Sequence, residues 1–254
     1  MPTPAQRFRD ALTAWFLPGA IYTFVGAGGK TTAMNRVAAY LAETGVKARL
    51  TTTTKVGIDE FDGTPVTIVQ NPADLARALS SDARVMLIVG GTLPEKAKYT
   101  GVDPRMLERL SLGADTVLLV EGDGSRNHPM KAPESREPVI PMHTSTVFAL
   151  MGACAFDEPI DDAHCYNYQK TLALVGKTGS FFEPPEIAAL AADPEGSCKG
   201  VLSGMAFRLL MNQGDLEVKR ATASEALRLA RDKYGIRGAL VSFQKGELYD
   251  TTDV

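Results

Sequence analysis

Seven consecutive residues, Gly26-Ala27-Gly28-Gly29-Lys30-Thr31-Thr32, bring together the parts that phosphate binding requires. Glycines let backbone N–H groups turn inward around an anion, a helix N-terminus adds its partial positive charge, and a lysine reaches the outer phosphates. Thr31 follows the lysine, where a hydroxyl ligates Mg²⁺ in such sites, and Thr32 is the next helical residue. A site of this kind also needs a carboxylate at the end of a neighbouring strand, to hold the metal directly or through water. The mostly apolar run Thr116 to Val120 delivers Glu121 and Asp123 to such an edge. Lys30, Glu121 and Asp123 are thus the candidate catalytic residues, and Thr31, Glu121 and Asp123 the candidate metal ligands; the spacing leaves open which carboxylate meets the metal.

Other residues could join this chemistry. Thr51-Thr52-Thr53-Thr54-Lys55 closes a strand with four hydroxyls and a lysine; it reads either as a plain β-branched strand end or as a second phosphate or metal contact. Lys131 is a further candidate cation in a long loop after Asp123. The standard phosphate-loop spacing puts a glycine at position 24, where this chain has Phe24, so the loop is the shortened form G-x-x-G-K-T-T. In that it resembles the loop of Mur-type ligases more than that of Ras-like GTPases. Asn212-Gln213-Gly214-Asp215 resembles the N-K-x-D base-reading motif of GTP-binding proteins, with Gln213 in place of the lysine. There the aspartate accepts from guanine's ring N–H and amino group while the asparagine braces the pocket, which makes Asn212 and Asp215 candidate base contacts.

These residues need a scaffold that brings strand ends together. Ile21 to Val25 reads as a strand, Thr31 to Leu41 as a helix, and Ala48 to Thr52 as a strand. Pro72 to Leu79 reads as a helix opened by Asn71, Arg84 to Val89 as a strand, Pro104 to Leu110 as a helix and Thr116 to Val120 as a strand. Thr146 to Met151 resumes the sheet, Glu183 to Ala192 is helical, and Phe207 to Met211, Ser224 to Tyr234 and Ala239 to Phe243 give a last strand, helix and strand. Short apolar strands alternating with amphipathic helices predict an α/β, three-layer P-loop NTPase fold: a mainly parallel sheet with helices on both faces. The expected organisation is one nucleotide-binding domain over 1–254, with a loop-rich insertion at about 124–145 and a small lobe at about 160–205. The Pro-rich, charged stretch from Asn127 to Pro141 lies within that insertion.

With 254 residues and 44% hydrophobic composition, the chain can bury a full core. A formal net charge of -3 provides no cationic field for nucleic acid or anionic membranes. No apolar run approaches the roughly 20 residues that cross a bilayer. Cys154, Cys165 and Cys198 form an odd set without paired spacing, which predicts reduced thiols and a cytoplasmic setting. His128, His143 and His164 share no metal-ligand spacing.

Taken in order, F-V-G-A-G-G-K-T-T, T-T-T-T-K, K-Y-T-G at Lys98 to Gly101, V-E-G-D-G-S-R-N-H-P-M-K-A-P, E-P-V-I-P and N-Q-G-D resemble the YqeC-type accessory proteins of selenium-dependent molybdenum hydroxylases. The block from Glu121 to Pro133 is the most specific of these. The resemblance runs from about Phe24 to about Asp215 and implies Mg²⁺, ATP or GTP as cofactors, and a molybdenum cofactor or molybdoenzyme as client. It carries roles onto Lys30, Thr31, Lys55, Glu121, Asp123, Ser125, Arg126 and Lys131. His164-Cys165 stands where the family tends to have His-Arg, and Gln213 where some members have lysine. The expected function is an NTPase assisting maturation of a molybdenum enzyme. The competing expectations are a Mur-like ATP-dependent ligase or small-molecule kinase, and a non-hydrolysing module switched by nucleotide.

Overall fold

Burial along Ile21–Gly26 (β1) dictates layers on both sides: Tyr22 and Phe24 enter one core, Val25 and Ile21 enter two others, and all are buried. A strand with two apolar faces must be covered twice. The computed structural model describes residues 2–108, 110–176 and 180–252. After Pro4–Trp15 (α1) and β1 come Lys30–Glu43 (α2), Lys47–Thr52 (β2), Lys55–Gly57 (β3), Val66–Ile68 (β4), Pro72–Ser80 (α3) and Val85–Val89 (β5). Gly91–Leu93 (β6), Lys98–Thr100 (β7), Thr116–Glu121 (β8), Met130–Lys131 (β9), Thr144–Gly152 (β10) and Cys165–Tyr166 (β11) follow. Tyr168–Val175 (α4), Pro184–Ala192 (α5), Ala206–Asn212 (β12), Arg220–Tyr234 (α6), Arg237–Ser242 (β13) and Glu247–Thr251 (β14) complete the chain.

The main sheet has the order β14-β13-β12-β10-β1-β8-β2-β5-β4. Its pairings are parallel except that of β13 with β14. On one face, Leu12 and Trp15 of α1 and Met34, Val37 and Leu41 of α2 pack against Phe24, Leu50, Leu119 and Phe148. On the other, Ile187 and Leu190 of α5 and Ala226 and Leu227 of α6 cover Val147, Leu209 and Met211, while Leu75 and Leu79 of α3 cover Ile88, Leu118 and Val120. This is the expected three-layer α/β fold. β1 lies centrally; the chain lays β2, β4 and β5 to one side, returns to insert β8 between β1 and β2, then crosses to add β10, β12 and β13 on the other side. Crevices at such a reversal, beyond the strands' C-terminal ends, are where parallel sheets bind ligands.

Three local features differ from the sequence reading. α1 precedes the first element that the sequence pattern placed; its buried face is Phe8, Leu12 and Trp15, whose i, i+4, i+7 spacing shows only in a window reaching past residue 10. Pro104–Leu107 is a 3₁₀ helix rather than the start of an α-helix to Leu110; Arg109 lies outside the described residues. β3, β7 and β6 form a separate antiparallel sheet over the ends of β2 and β5, anchored where the Val102 N–H donates to Thr52 O at 2.9 Å and the Gly90 N–H to Thr100 O at 2.9 Å. Phe24 explains the missing glycine: its side chain is fully buried, stacked at 5.4 Å on Phe148, so position 24 belongs to the core. No helix among the described residues is long and apolar enough to cross a membrane.

Candidate functional site

β1 ends at Gly26 and α2 begins at Lys30, so the loop turns within three residues. Gly28 has a φ of 79° and lies directly on β10: a Cβ there would sit 2.2 Å from the Gly152 nitrogen. A Cβ on Gly26 would sit 2.5 Å from the Leu150 carbonyl oxygen. Only glycine permits so close a meeting of two backbones. Asn212, at the end of β12, locks the loop from above. Its Nδ2 donates to the Gly28 carbonyl at 2.8 Å, and its Oδ1 accepts from the Phe243 N–H at 3.1 Å.

Part of the expected phosphate cradle is used inside the protein. The Gly26 N–H donates to both Asp123 oxygens at 3.0 Å, the Ala27 N–H to Leu150 O at 3.0 Å, and the Gly28 N–H to His128 O at 3.3 Å. What remains is the start of α2. Helix geometry leaves the first-turn N–H groups of Lys30, Thr31 and Thr32 without intrahelical acceptors, and Gly29 at the N-cap has no side chain to cap them. This uncapped end faces a cleft of about 970 Å³ at the C-terminal edge of the sheet.

β8 delivers the carboxylates. Asp123 is buried, with Lys30 Nζ 3.3 Å from its Oδ1 and Lys131 Nζ 2.9 Å from its Oδ2. Lys131 also donates to Glu137 Oε2 at 2.7 Å and Gly124 O at 2.6 Å. This lysine, expected to face phosphate, is instead enclosed, held in place by the pairing of β9 with β11. Lys30 Nζ donates to Gly26 O at 2.6 Å and lies 3.8 Å from Glu121 Oε1. Glu121 is different from Asp123. Its Oε2 is buried without a hydrogen-bond partner, and burial pushes its carboxyl up to about 7, against the pull of Lys30. Glu121 lines the cleft.

Thr31 Oγ1 donates to Glu60 Oε2 at 2.7 Å, and Glu60 also accepts the Gly57 N–H at 2.8 Å. Glu60 carried no signal in the sequence; the β3 turn brings it to α2. Ser125 and Arg126 line the cleft, and the Arg126 guanidinium lies 4.8 Å above the Tyr166 ring. Lys55 lines it too, but the threonines before it turn elsewhere: Thr51 donates to Ile88 O at 2.8 Å and Thr53 to Glu121 O at 3.2 Å. At the opposite end lie Asn212, Asp215, Ser242 and Gln244. Asp215 accepts no hydrogen bond from any described residue. Burial raises the Cys165 thiol to about 11 and also pushes Cys154 and Cys198 up, so none is a ready nucleophile.

Oxygen donors from Thr31 and Glu121, the latter with one buried carboxylate oxygen that has no hydrogen-bond partner, suit a hard cation such as Mg²⁺. No group of three or more His, Cys, Asp or Glu that could hold a metal occurs among the described residues. Water and phosphate would have to complete the shell, as Mg²⁺ commonly requires.

A central strand running through a glycine-rich loop onto a helix N-terminus, beside a parallel strand ending in carboxylates, defines the P-loop class of α/β proteins. Within that class the chain belongs to the YqeC family, whose model, described as YqeC protein, matches residues 22–169. YqeC of Escherichia coli (strain K12) is 28% identical over 186 residues, covering 72% of this chain and 72% of its own. Among solved structures, HypB from Helicobacter pylori in complex with nickel aligns over 96% of this chain and 86% of that one, at 12% identity and a TM-score of 0.37. That likeness is too loose to carry any role across. The family match includes the loop, Glu121 and Lys131, and ends before Asn212.

Proposed function

We propose that the chain binds a nucleoside triphosphate with Mg²⁺, hydrolyses it, and thereby assists maturation of a molybdenum-cofactor enzyme of the selenium-dependent hydroxylase kind. The observation that carries the nucleotide reading is the convergence on one cleft of the uncapped α2 N-terminus, Lys30 and the free oxygen of Glu121. The client reading rests on the Glu121 to Pro133 block and on membership of the YqeC family.

In this reading the first-turn N–H groups of α2 and the Lys30 ammonium hold the outer phosphates. Thr31 and Glu121 would hold the metal, which when bound would supply positive charge beside the phosphates. Asp123, with both oxygens on the Gly26 N–H and flanked by two lysines, positions the loop and aims Lys30. Thr31, which donates to Glu60 Oε2, would have to give up that bond to serve as a metal ligand. Asp215, an unpartnered carboxylate at the far end, supports a guanine preference, with Asn212 bracing the loop beneath the base.

Calorimetric titration of GTP, ATP and CTP with Mg²⁺ tests this. GTP binds tightest, Asp215→Ala weakens GTP by about tenfold or more, and Lys30→Ala abolishes the difference between triphosphate and nucleoside. Equal affinity for the three nucleotides removes the base assignment. Wild-type affinity in Lys30→Ala removes the site itself. Hydrolysis is slow alone and accelerates with the client; tight binding with no turnover, client present, favours the switch reading instead.

A further inference from the structure

The cleft is longer than one nucleotide needs. A base against Asp215 sits beyond the end of β12, and phosphates at Lys30 sit beyond the end of β1, two strands away. The cleft then continues past β8 to β2 and the small sheet above it, so that β12 and β2 are four inter-strand steps apart, roughly 19 Å at about 4.8 Å per step. The second half of that span, from β1 to β2, passes Glu121 at the end of β8.

This half is walled by lysines. Lys55 on β3 and Lys98 on β7 sit on paired strands, Lys96 lies in the turn before β7, and Arg126 reaches in from the loop after β8. None of the three lysines makes an ion pair with a described residue. Elsewhere Lys47, Lys170, Lys199 and Lys219 each meet a carboxylate within 3.4 Å. The acidic residues on the same wall are Asp59 and Glu60, and both Glu60 oxygens already accept hydrogen bonds, from Gly57 and Thr31. Lys55, Lys96, Lys98 and Arg126 outnumber Asp59, Glu60 and Glu121, so the balance is cationic, at a rim where charges stay hydrated until an anion arrives. Lysines act there as mobile point charges, while Arg126, resting on Tyr166, presents a planar fork suited to phosphate oxygens.

We propose that the cleft is bipartite, and that the half walled by β3 and β7 binds a second substrate: a small molecule bearing a phosphate group, held by Lys55, Lys96, Lys98 and Arg126 beside Glu121. This rests on reading Gly26–Thr32 as the nucleotide site. It favours transfer to, or assembly on, a small phosphorylated partner over hydrolysis alone.

The test loads the protein with Mg²⁺ and a non-hydrolysable GTP analogue, then titrates inorganic phosphate at pH 8 by calorimetry. Wild type binds phosphate in this loaded state. Lys96→Ala/Lys98→Ala, which changes two exposed side chains, binds it about tenfold more weakly, with analogue affinity within about twofold of wild type. Three outcomes overturn the proposal: no phosphate binding by loaded wild type, equal binding by the double variant, or a loss of analogue affinity that tracks the loss of phosphate. Malonate binding as tightly as phosphate overturns the phosphate class. Failure of the nucleotide reading shows separately, as analogue binding no tighter in wild type than in Lys30→Ala.

Discussion

On its β10 side the phosphate loop is held by backbone contact and one neutral side chain, with Gly28 against Gly152, Gly26 against Leu150, and the Asn212 amide tying the Gly28 carbonyl to the end of β13. On its β8 side it is held by charge, with Asp123 gripping the Gly26 N–H and two buried lysines while Glu121 stands by with an unmatched oxygen. The first wall fixes where the loop is and has no state to change. The second fixes what the loop can bind, and protonation or an arriving cation alters it. A site that must grip and release phosphate needs both.

Asp123 carries the largest effect. Asp123→Ala leaves Lys30 and Lys131 buried beside an uncompensated void, and chemical denaturation should show a loss of about 3–5 kcal/mol. If stability barely changes, the β8 wall is not held by charge. Glu121 supplies the next effect. Its carboxyl titrates near 4.5 when unfolded and about 7 when folded, so the folded chain holds that proton more tightly. The contribution is full below pH 4.5 and is lost as pH rises through 7, in all about 3 kcal/mol. Glu121→Gln should therefore gain stability over wild type as pH goes from 5 to 8, while Mg²⁺-dependent nucleotide affinity of wild type strengthens over the same range. A constant gap across that range would contradict the burial of an unmatched carboxylate.

The β10 wall should answer to volume and not to pH. Gly28→Ala puts a methyl group against backbone that cannot step aside, costing about 2–3 kcal/mol with a pH profile parallel to wild type. Smallest is Asn212→Ala, about 1–2 kcal/mol, since it frees one carbonyl and one N–H to find water. Its thermal midpoint should fall without changing the midpoint's dependence on pH. A pH-dependent deficit in either variant would mean the walls are not separate.

Much of this was legible in the sequence because it is local. Strand, glycines and lysine adjoin from Ile21 to Thr32, and apolar periodicity placed β2, β5, β8, β10, β12 and β13 within a few residues of where they form. What the sequence hid depends on distant pieces. Glu60 meets Thr31 only after a turn of chain folds back onto α2. Lys131 reads in the sequence as a candidate phosphate-binding cation in a long loop, yet β11, more than thirty residues on, pairs with β9 and encloses it. The β3–β7–β6 sheet uses strands of three residues, too short for alternation to register. Glu121 and Asp123 were indistinguishable by spacing, because only burial and partners separate a free oxygen from an occupied one.

The meeting of Gly28 with Gly152 also has a meaning for inheritance. Residues far apart in the chain share one space, and neither tolerates a first side-chain carbon: at Gly152 it would fall 2.9 Å from Pro129 and 3.1 Å from Gly28. Neither position can drift alone, and no change at one can be repaired by a larger residue at the other. Relatives that keep this loop should keep the pair together, which makes position 152, unremarked by any motif, as diagnostic of the fold as the lysine that follows the loop.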